Sequence, residues 1–320
     1  GQVFGGPMYV IKNGLPRKML PLAYFFAIAG MIGCLPAFQS NQLIQITGDL
    51  AFSDIENFNV YGGLALASIT GIVVIGGLKR IAEVASYLVP FMGSVYCGAM
   101  LIAIFLNLEL VVPAFKLIFI DALNGTAIAG GTFIGVLIYG VRRGAFSNEA
   151  GMGTESLVHG VAKVSNPVKQ GLVAMTGPIF DTLIICTATA LIILISGVWE
   201  TSTSQGVTLT SEAFNLLLGD LGGFILFACV VCFGLSTIFT YSYYGATCAR
   251  FIFGSFGMNF YIYLYIIGIF IYSIVPIDIA INIADGAFAM MAIPTLISAL
   301  WLAPKVMQES RNYFKLINNT

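Results

Sequence analysis

Eight apolar segments of membrane-spanning length dominate this 320-residue chain. Short charged or turn-rich stretches separate them, and most approach the roughly 20 residues that cross about 30 Å of hydrocarbon as an α-helix. The segments cover residues 20–46, 60–78, 82–107, 126–141, 171–198, 221–247, 258–276 and 277–303. This pattern predicts an all-α, polytopic membrane protein whose main solvent is the lipid bilayer.

The scarcity of charge excludes several function classes. Charged residues make up 9% of the chain, against roughly 25% in soluble domains, so an independent soluble domain is excluded. The net charge is -1 without a basic cluster, and no nucleic-acid partner is expected because phosphate binding requires clustered Lys and Arg. The six cysteines lie in or beside apolar stretches, and His159 is the only histidine. No metal centre or other cofactor is predicted.

The positive charges orient the predicted spans. If the N-terminus is cytoplasmic, every Lys and Arg except Lys116 falls on the cytoplasmic side, as the positive-inside rule requires. This distribution supports eight spans and places residues 142–170 and the tail 305–320 in the cytoplasm. The predicted location is the cell membrane, as a multi-pass protein.

Polar side chains inside apolar spans are candidate functional groups, because lipid disfavours polar groups that serve no purpose. Gln39 lies close to Asn41 and Gln42 in one span, where amides either bind a zwitterionic ligand or hydrogen-bond between helices. Ser236 and Thr237 are adjacent in another span. Their hydroxyls suit a hard cation such as Na⁺, or they bond back to their own helix.

Two further features leave alternatives open. The run 142–154 either interrupts a helix at membrane depth, exposing backbone groups to a ligand, or forms a cytoplasmic loop. Asp181 and Asp285 lie within apolar spans, where a cross-helix partner is favoured over proton coupling. No nucleophile with a neighbouring base and no phosphate-binding Gly-rich loop is visible, so an enzyme is not expected.

The central motif carries a family resemblance. Residues 143–154 (RGAFSNEAGMGT), 170–175 (QGLVAM) and 180–191 (FDTLIICTATAL) closely resemble the bacterial and archaeal alanine or glycine:cation symporter family. The similarity extends over nearly the whole chain.

The resemblance implies a LeuT-type fold of two inverted repeats around a midplane site, truncated to about eight transmembrane helices. Residues 1–320 would form a single transporter domain. About 1–125 would be the remainder of the first repeat and about 126–304 the second, with 305–320 as a cytoplasmic tail. The Gly-Gly-Pro-Met-Tyr stretch at 5–9 precedes the third core helix in the family, so the first two core helices are expected to be missing.

The implied function is sodium-coupled symport of small neutral amino acids, alanine or glycine, by alternating access in a prokaryotic inner membrane. The alternative is a proton-coupled amino-acid transporter or a channel-like membrane protein. The resemblance places Ser236 and Thr237 at a sodium site in the eighth core helix.

The resemblance also implies the substrate-binding residues. Gln39 would lie in the third core helix, and Phe146, Ser147 and Asn148 in the broken sixth. Tyr241 is the fifth implied substrate-binding residue, and it stands where family members often carry Trp, a departure from the family pattern that bears on the size limit of the substrate.

Overall fold

The computed structural model describes residues 4–52, 54–122, 132–204 and 206–318, and the regular elements in these ranges are helical. A 3₁₀ turn (Arg17–Met19) precedes α2, and a π-helix (Ile179–Cys186) joins α9 to α10. The α-helices, in chain order, are α1 (Pro7–Gly14), α2 (Leu20–Gly33), α3 (Ala37–Ala51), α4 (Phe58–Val74), α5 (Gly77–Leu106), α6 (Leu108–Ala122), α7 (Thr132–Asn148), α8 (Glu155–His159), α9 (Pro167–Pro178), α10 (Thr187–Ser196), α11 (Val198–Thr201), α12 (Val207–Leu218), α13 (Asp220–Ile274) and α14 (Ile277–Asn318).

The helices confirm an all-α chain of the polytopic membrane type. Within the described residues, five helical stretches are long and apolar enough to cross a bilayer, while α4 and α12 are apolar but shorter. These stretches are Arg17–Ala51, Gly77–Leu106, Pro167–Ser196, Asp220–Ile274 and Ile277–Asn318. The count of eight spans therefore stays a prediction, and part of the predicted segment 126–141 lies outside the described residues.

Two predicted segments differ from the helices that form, and two others meet at a break within α13. The segment 20–46 is interrupted between α2 and α3, at Pro36, which has no N–H to continue the helical bonds. The segments 221–247 and 258–276 correspond to the two parts of α13, which are separated by a break at Gly254, where the backbone is not helical and φ is 70°. The last segment continues beyond residue 303, so the predicted tail is helical as far as Asn318.

Two buried apolar clusters hold the helices together. The first cluster contains residues of the first four helices, α1 through α4, and of α13 and α14. Its fully buried members include Phe26, Tyr265 and Met291. The second joins α5, α10 and α12 to the start of α13, around Met100 and Phe214. Because α13 contributes to both clusters, it is the element about which the described helices are organised.

Large apolar side chains also cover the outer faces of the helices. Phe105 is 75% exposed and Leu300 is 77% exposed. Contiguous apolar surface of this kind is costly in water and favourable in hydrocarbon. The outer surface therefore matches the membrane environment that the composition predicts.

Candidate functional site

A cavity of about 520 Å³ lies where the two apolar clusters meet. Its walls come from α3, α5, α7, α12 and α13, with the π-helix and the start of α10. Most of the lining is apolar, and a few polar side chains converge on it, which is typical of a small-molecule site. The polar and aromatic hydroxyl side chains in the lining are Gln39, Gln42, Tyr96, Arg143, Ser147, Glu149, Thr189, Thr210, Thr237 and Tyr241.

The interruption at Pro36 aims the first turn of α3 into the cavity. Gln39 lines the cavity and its amide makes no hydrogen bond with the described residues. Gln42 also lines the cavity, but its amide donates to Gln45 Oε1 at 2.9 Å. An amide without a protein partner at a cavity wall is available to a polar ligand.

Asn41 has the other role that the sequence allows. Its Nδ2 donates to the backbone oxygen of Val275 at 2.6 Å, just before α14 begins. This is a hydrogen bond between helices of the kind that polar residues form in membranes. Within this polar run, Gln39 is therefore available to a ligand, while Asn41 forms a hydrogen bond between helices.

The run 142–154 is a broken helix packed against the bundle. α7 continues through Asn148, and the chain then turns through Glu149, Gly151 and Gly153, whose φ values are 55°, 82° and 90°. Thr154, at the end of the turn, is fully buried. The segment is therefore packed against other helices, and its position at membrane depth stays a prediction.

Gly153 is the tightest position of this turn. A Cβ on Gly153 would overlap the side chains of Pro7, Thr295 and Phe26. Thr295 in turn donates a hydrogen bond to the backbone oxygen of Met152 at 3.1 Å. Both contacts tie the turn to α2 and α14, so α8 begins inside the bundle.

Glu149 is the site residue that sequence reasoning missed. It lines the cavity, accepts a hydrogen bond from Tyr241 OH on Oε1 at 2.6 Å, and accepts another from Thr154 on Oε2. The available signal was an acid placed among the small residues of a broken apolar helix. A charge there is expensive unless the surrounding structure supplies donors.

The last three residues of α7, Phe146, Ser147 and Asn148, have different surroundings. Phe146 and Ser147 line the cavity, whereas Asn148 does not. The Asn148 amide donates to Thr182 Oγ1 at 2.9 Å, and Ser147 Oγ donates to Asp181 Oδ2 at 2.7 Å. The end of α7 is thus fastened to the π-helix on one side while it faces the cavity on the other.

Both intramembrane aspartates have partners on other helices. Asp285 on α14 accepts hydrogen bonds from Arg143 on both carboxylate oxygens, and Arg142 lies 3.9 Å from Oδ2. Asp181 is paired with Ser147. The favoured interpretation of a cross-helix partner is confirmed at both positions.

Aromatic rings form a continuous row along one side of the cavity. Phe146 contacts Phe38 of α3 at a centroid distance of 5.4 Å and Phe288 of α14 at 5.3 Å. Tyr241 continues the row, edge-on to Phe288 at 6.4 Å. Phe38, Phe146 and Tyr241 line the cavity and give a small side chain ring surface to pack against, while Phe288 supports two of these rings from outside the lining.

The two predicted sodium ligands lie on α13 beside the cavity. Ser236 and Thr237 both donate to the backbone oxygen of Phe233, at 2.9 and 3.0 Å. Thr237 lines the cavity, while Ser236 is buried and outside its lining. Each hydroxyl oxygen keeps lone pairs after this donation, so back-bonding and cation binding are compatible.

The whole chain is similar to proteins of a known family. Residues 1–320 match the model of the sodium:alanine symporter family.

Three relatives illustrate the range of similar proteins. An uncharacterised transporter, YflA of Bacillus subtilis, is 35% identical over 98% of this chain and 67% of its own length. The sodium/alanine symporter AgcS of Methanococcus maripaludis is 34% identical, over 100% of this chain and 71% of its own. The probable sodium/glutamine symporter GlnT of Bacillus subtilis is 32% identical, over 97% of this chain and 64% of its own.

Proposed function

This chain belongs to the sodium:alanine symporter family, and from that premise we propose that it couples Na⁺ entry to the uptake of small neutral amino acids. Alanine and glycine are the substrates proposed first. The observation that carries the proposal is the cavity beside the broken helix, which is lined both by the unbonded amide of Gln39 and by the rings of Phe146 and Tyr241. A multi-pass location in the cell membrane follows from the family and from the apolar helices.

The cavity has groups for each part of an amino acid. The Gln39 amide offers both a donor and an acceptor, which complement a carboxylate and an ammonium group. Phe146 and Tyr241 present ring surface to the substrate side chain, while Ser147 adds a hydroxyl at the end of α7. We assign Asn148 a supporting role, because its amide contacts Thr182 outside the cavity lining.

Na⁺ is proposed to bind beside Thr237, with Ser236 as a second oxygen ligand. Hard cations prefer oxygen ligands, and the two hydroxyls belong to the helix that also supplies Tyr241. An ion and a substrate held by one helix can stabilise the same conformation, which is the physical basis of coupling.

The proposed architecture is the LeuT-type inverted repeat, with the first repeat ending near residue 125 and the second occupying about 126–304. A broken helix beside a central cavity is the feature of the fold that supports this arrangement. Alternating access would then move α7 and its turn relative to α13.

Uptake of radiolabelled alanine into proteoliposomes tests the function. The full-length protein is reconstituted, and uptake is measured with an inward Na⁺ gradient, with equal Na⁺, and with a proton gradient alone. Accumulation driven only by Na⁺ supports symport. Accumulation driven by protons alone would instead indicate the proton-coupled alternative, and downhill flux insensitive to both gradients would indicate a channel.

The ion site has its own experiment. Thr237→Val keeps the shape of the side chain and removes one oxygen, so the Na⁺ concentration for half-maximal uptake should rise severalfold. Thr240→Val is the matched control, since Thr240 also bonds back to its own helix, to the oxygen of Ser236 at 2.8 Å, but lies outside the cavity lining. A wild-type Na⁺ dependence in Thr237→Val would remove this residue from the ion site.

A further inference from the structure

We propose that Glu149 is a positioning residue that sets the size limit of the cavity by holding the ring of Tyr241. This inference rests on the proposed function, because it assumes that an amino-acid side chain meets the Tyr241 ring. It assigns to the carboxylate a mechanical role in specificity, through a hydrogen bond between two segments that are 92 residues apart.

The carboxylate bridges the broken helix and α13. Its Oε1 accepts from the Tyr241 hydroxyl at 2.6 Å, and its Oε2 accepts from the Thr154 hydroxyl at the other end of the turn. These two hydrogen bonds, one on each oxygen, fix the position of the carboxyl group between the turn and α13. The Tyr241 hydroxyl is therefore held firmly at one point on the turn.

The backbone determines where that point lies. Glu149 has a φ of 55°, a left-handed conformation that directs its side chain differently from those of the preceding helical residues. Thr154 is fully buried, and the turn between them includes Gly153, which cannot accept a larger side chain. Because the acceptor is carried by a packed turn, it can position the ring.

Tyr241 is placed to convert this anchoring into a size limit. The residue is 4% exposed, its ring packs against Tyr244 at 5.7 Å and Phe288 at 6.4 Å, and part of it lines the cavity. An unanchored ring can change rotamer and open volume toward the aromatic row. An anchored ring keeps the wall in place against a longer substrate side chain.

A charge role for Glu149 is the competing account. Among the described residues, no Lys or Arg forms an ion pair with the Glu149 carboxylate. On this account, a carboxylate held by two hydroxyls at a cavity wall attracts a cation directly, whether Na⁺ or the substrate ammonium. The Glu149→Gln variant separates the two accounts, because its side chain keeps an oxygen acceptor for Tyr241 but carries no charge.

The experiment measures substrate discrimination in four variants of the full-length protein in proteoliposomes. For each of Glu149→Ala, Glu149→Gln, Tyr241→Phe and the control Tyr244→Phe, unlabelled alanine and glutamine compete against Na⁺-driven uptake of labelled alanine. The ratio of the two inhibition constants is the readout, since it does not depend on how much active protein is recovered. The Tyr244 hydroxyl makes no hydrogen bond with the described residues, so its removal tests for a general effect of losing a phenol.

The proposal expects Glu149→Ala and Tyr241→Phe to shift the ratio toward glutamine by about tenfold, since fitted pockets discriminate methylene groups by roughly 10–200-fold. Glu149→Gln and Tyr244→Phe should keep the wild-type ratio. A Glu149→Gln variant that behaves like Glu149→Ala, or a Tyr241→Phe variant with the wild-type ratio, would overturn it. If Glu149→Ala does not fold, Tyr241→Phe and Glu149→Gln still decide. Absence of Na⁺-driven alanine uptake in the wild type would instead refute the proposed function.

Discussion

Two helix interruptions border the cavity, and they satisfy their backbone groups in different ways. At the first, between α2 and α3, the oxygen of Met31 accepts a hydrogen bond from Tyr261 OH at 2.8 Å. Only uncharged groups take part in that bond. At the second, after α7, the turn brings in the Glu149 carboxylate, which is held by two hydroxyls, and Arg143 is paired with Asp285 less than two turns earlier.

The interruption at Pro36 is thus stabilised by neutral groups, whereas the interruption after α7 contains charged side chains. At the first interruption, Pro36 lacks an N–H to continue the helix, and the Tyr261 phenol donates to the backbone oxygen of Met31. No charged group is needed to direct Gln39 toward the cavity. The second interruption depends on charged groups whose partners lie on other helices, α13 and α14. The turn is therefore held to α13 by Tyr241 and to α14 through the pair of Arg143 and Asp285.

Removing the ion pair beside the second interruption should have the largest effect. Asp285→Ala leaves Arg143 without its partner; the two side chains are 11% and 29% exposed. We expect a loss of about 3–5 kcal/mol in stability, as for other broken buried pairs. Thermal unfolding in detergent measures it, with Glu309→Ala on the exposed part of α14 as control. A melting temperature for Asp285→Ala equal to that of the control would show that the second interruption does not need this charge.

Substitution of the glycines in the turn should have the next largest effect. Gly153→Ala combines left-handed strain of about 1–2 kcal/mol with overpacking of about 1–3 kcal/mol, because Pro7 and Phe26 occupy the space. Gly151→Ala carries the strain alone, since its nearest neighbour is a Leu296 methyl at 3.6 Å. The difference in unfolding temperature between the two variants measures the packing contribution. Equal effects would mean that backbone conformation alone makes this turn dependent on glycine.

A smaller effect is expected at the first interruption. Tyr261→Phe removes the donor to Met31 and should cost about 1 kcal/mol, the net value of a typical hydrogen bond. Tyr263→Phe is the matched control, because Tyr263 is 59% exposed. Both variants should keep the wild-type ratio of alanine to glutamine inhibition. A changed ratio in Tyr261→Phe would extend control of specificity to the first interruption.

The smallest effect on substrate affinity is expected at Asn148. Its amide bonds to Thr182 outside the cavity lining, so Asn148→Ala should change the half-saturating alanine concentration by less than about twofold, whereas a direct ligand hydrogen bond is worth about tenfold. Gln39→Ala, at the cavity wall, serves as the comparison. If the two variants lose affinity equally, Asn148 contacts substrate after all.

The amino-acid sequence determined the environment, the helical class and the family of this protein. Long apolar segments with few charges have one stable solution in lipid, because a helix satisfies its own backbone bonds. The motif at 143–154 was specific enough to indicate the family that the match over 1–320 then showed. The sequence also predicted cross-helix partners for Asp181 and Asp285, since an unpaired charge in lipid is costly.

The tertiary structure decided which members of each polar run reach the cavity. Successive helical residues point about 100° apart, so Ser147 faces the cavity while Asn148 bonds to Thr182, and Gln39 faces it while Asn41 bonds across to Val275. Periodicity fixes these angles but not which face meets a neighbour. Glu149 depended still more on tertiary packing, because its left-handed backbone and its Tyr241 partner exist only once the turn is packed against α13 and α14.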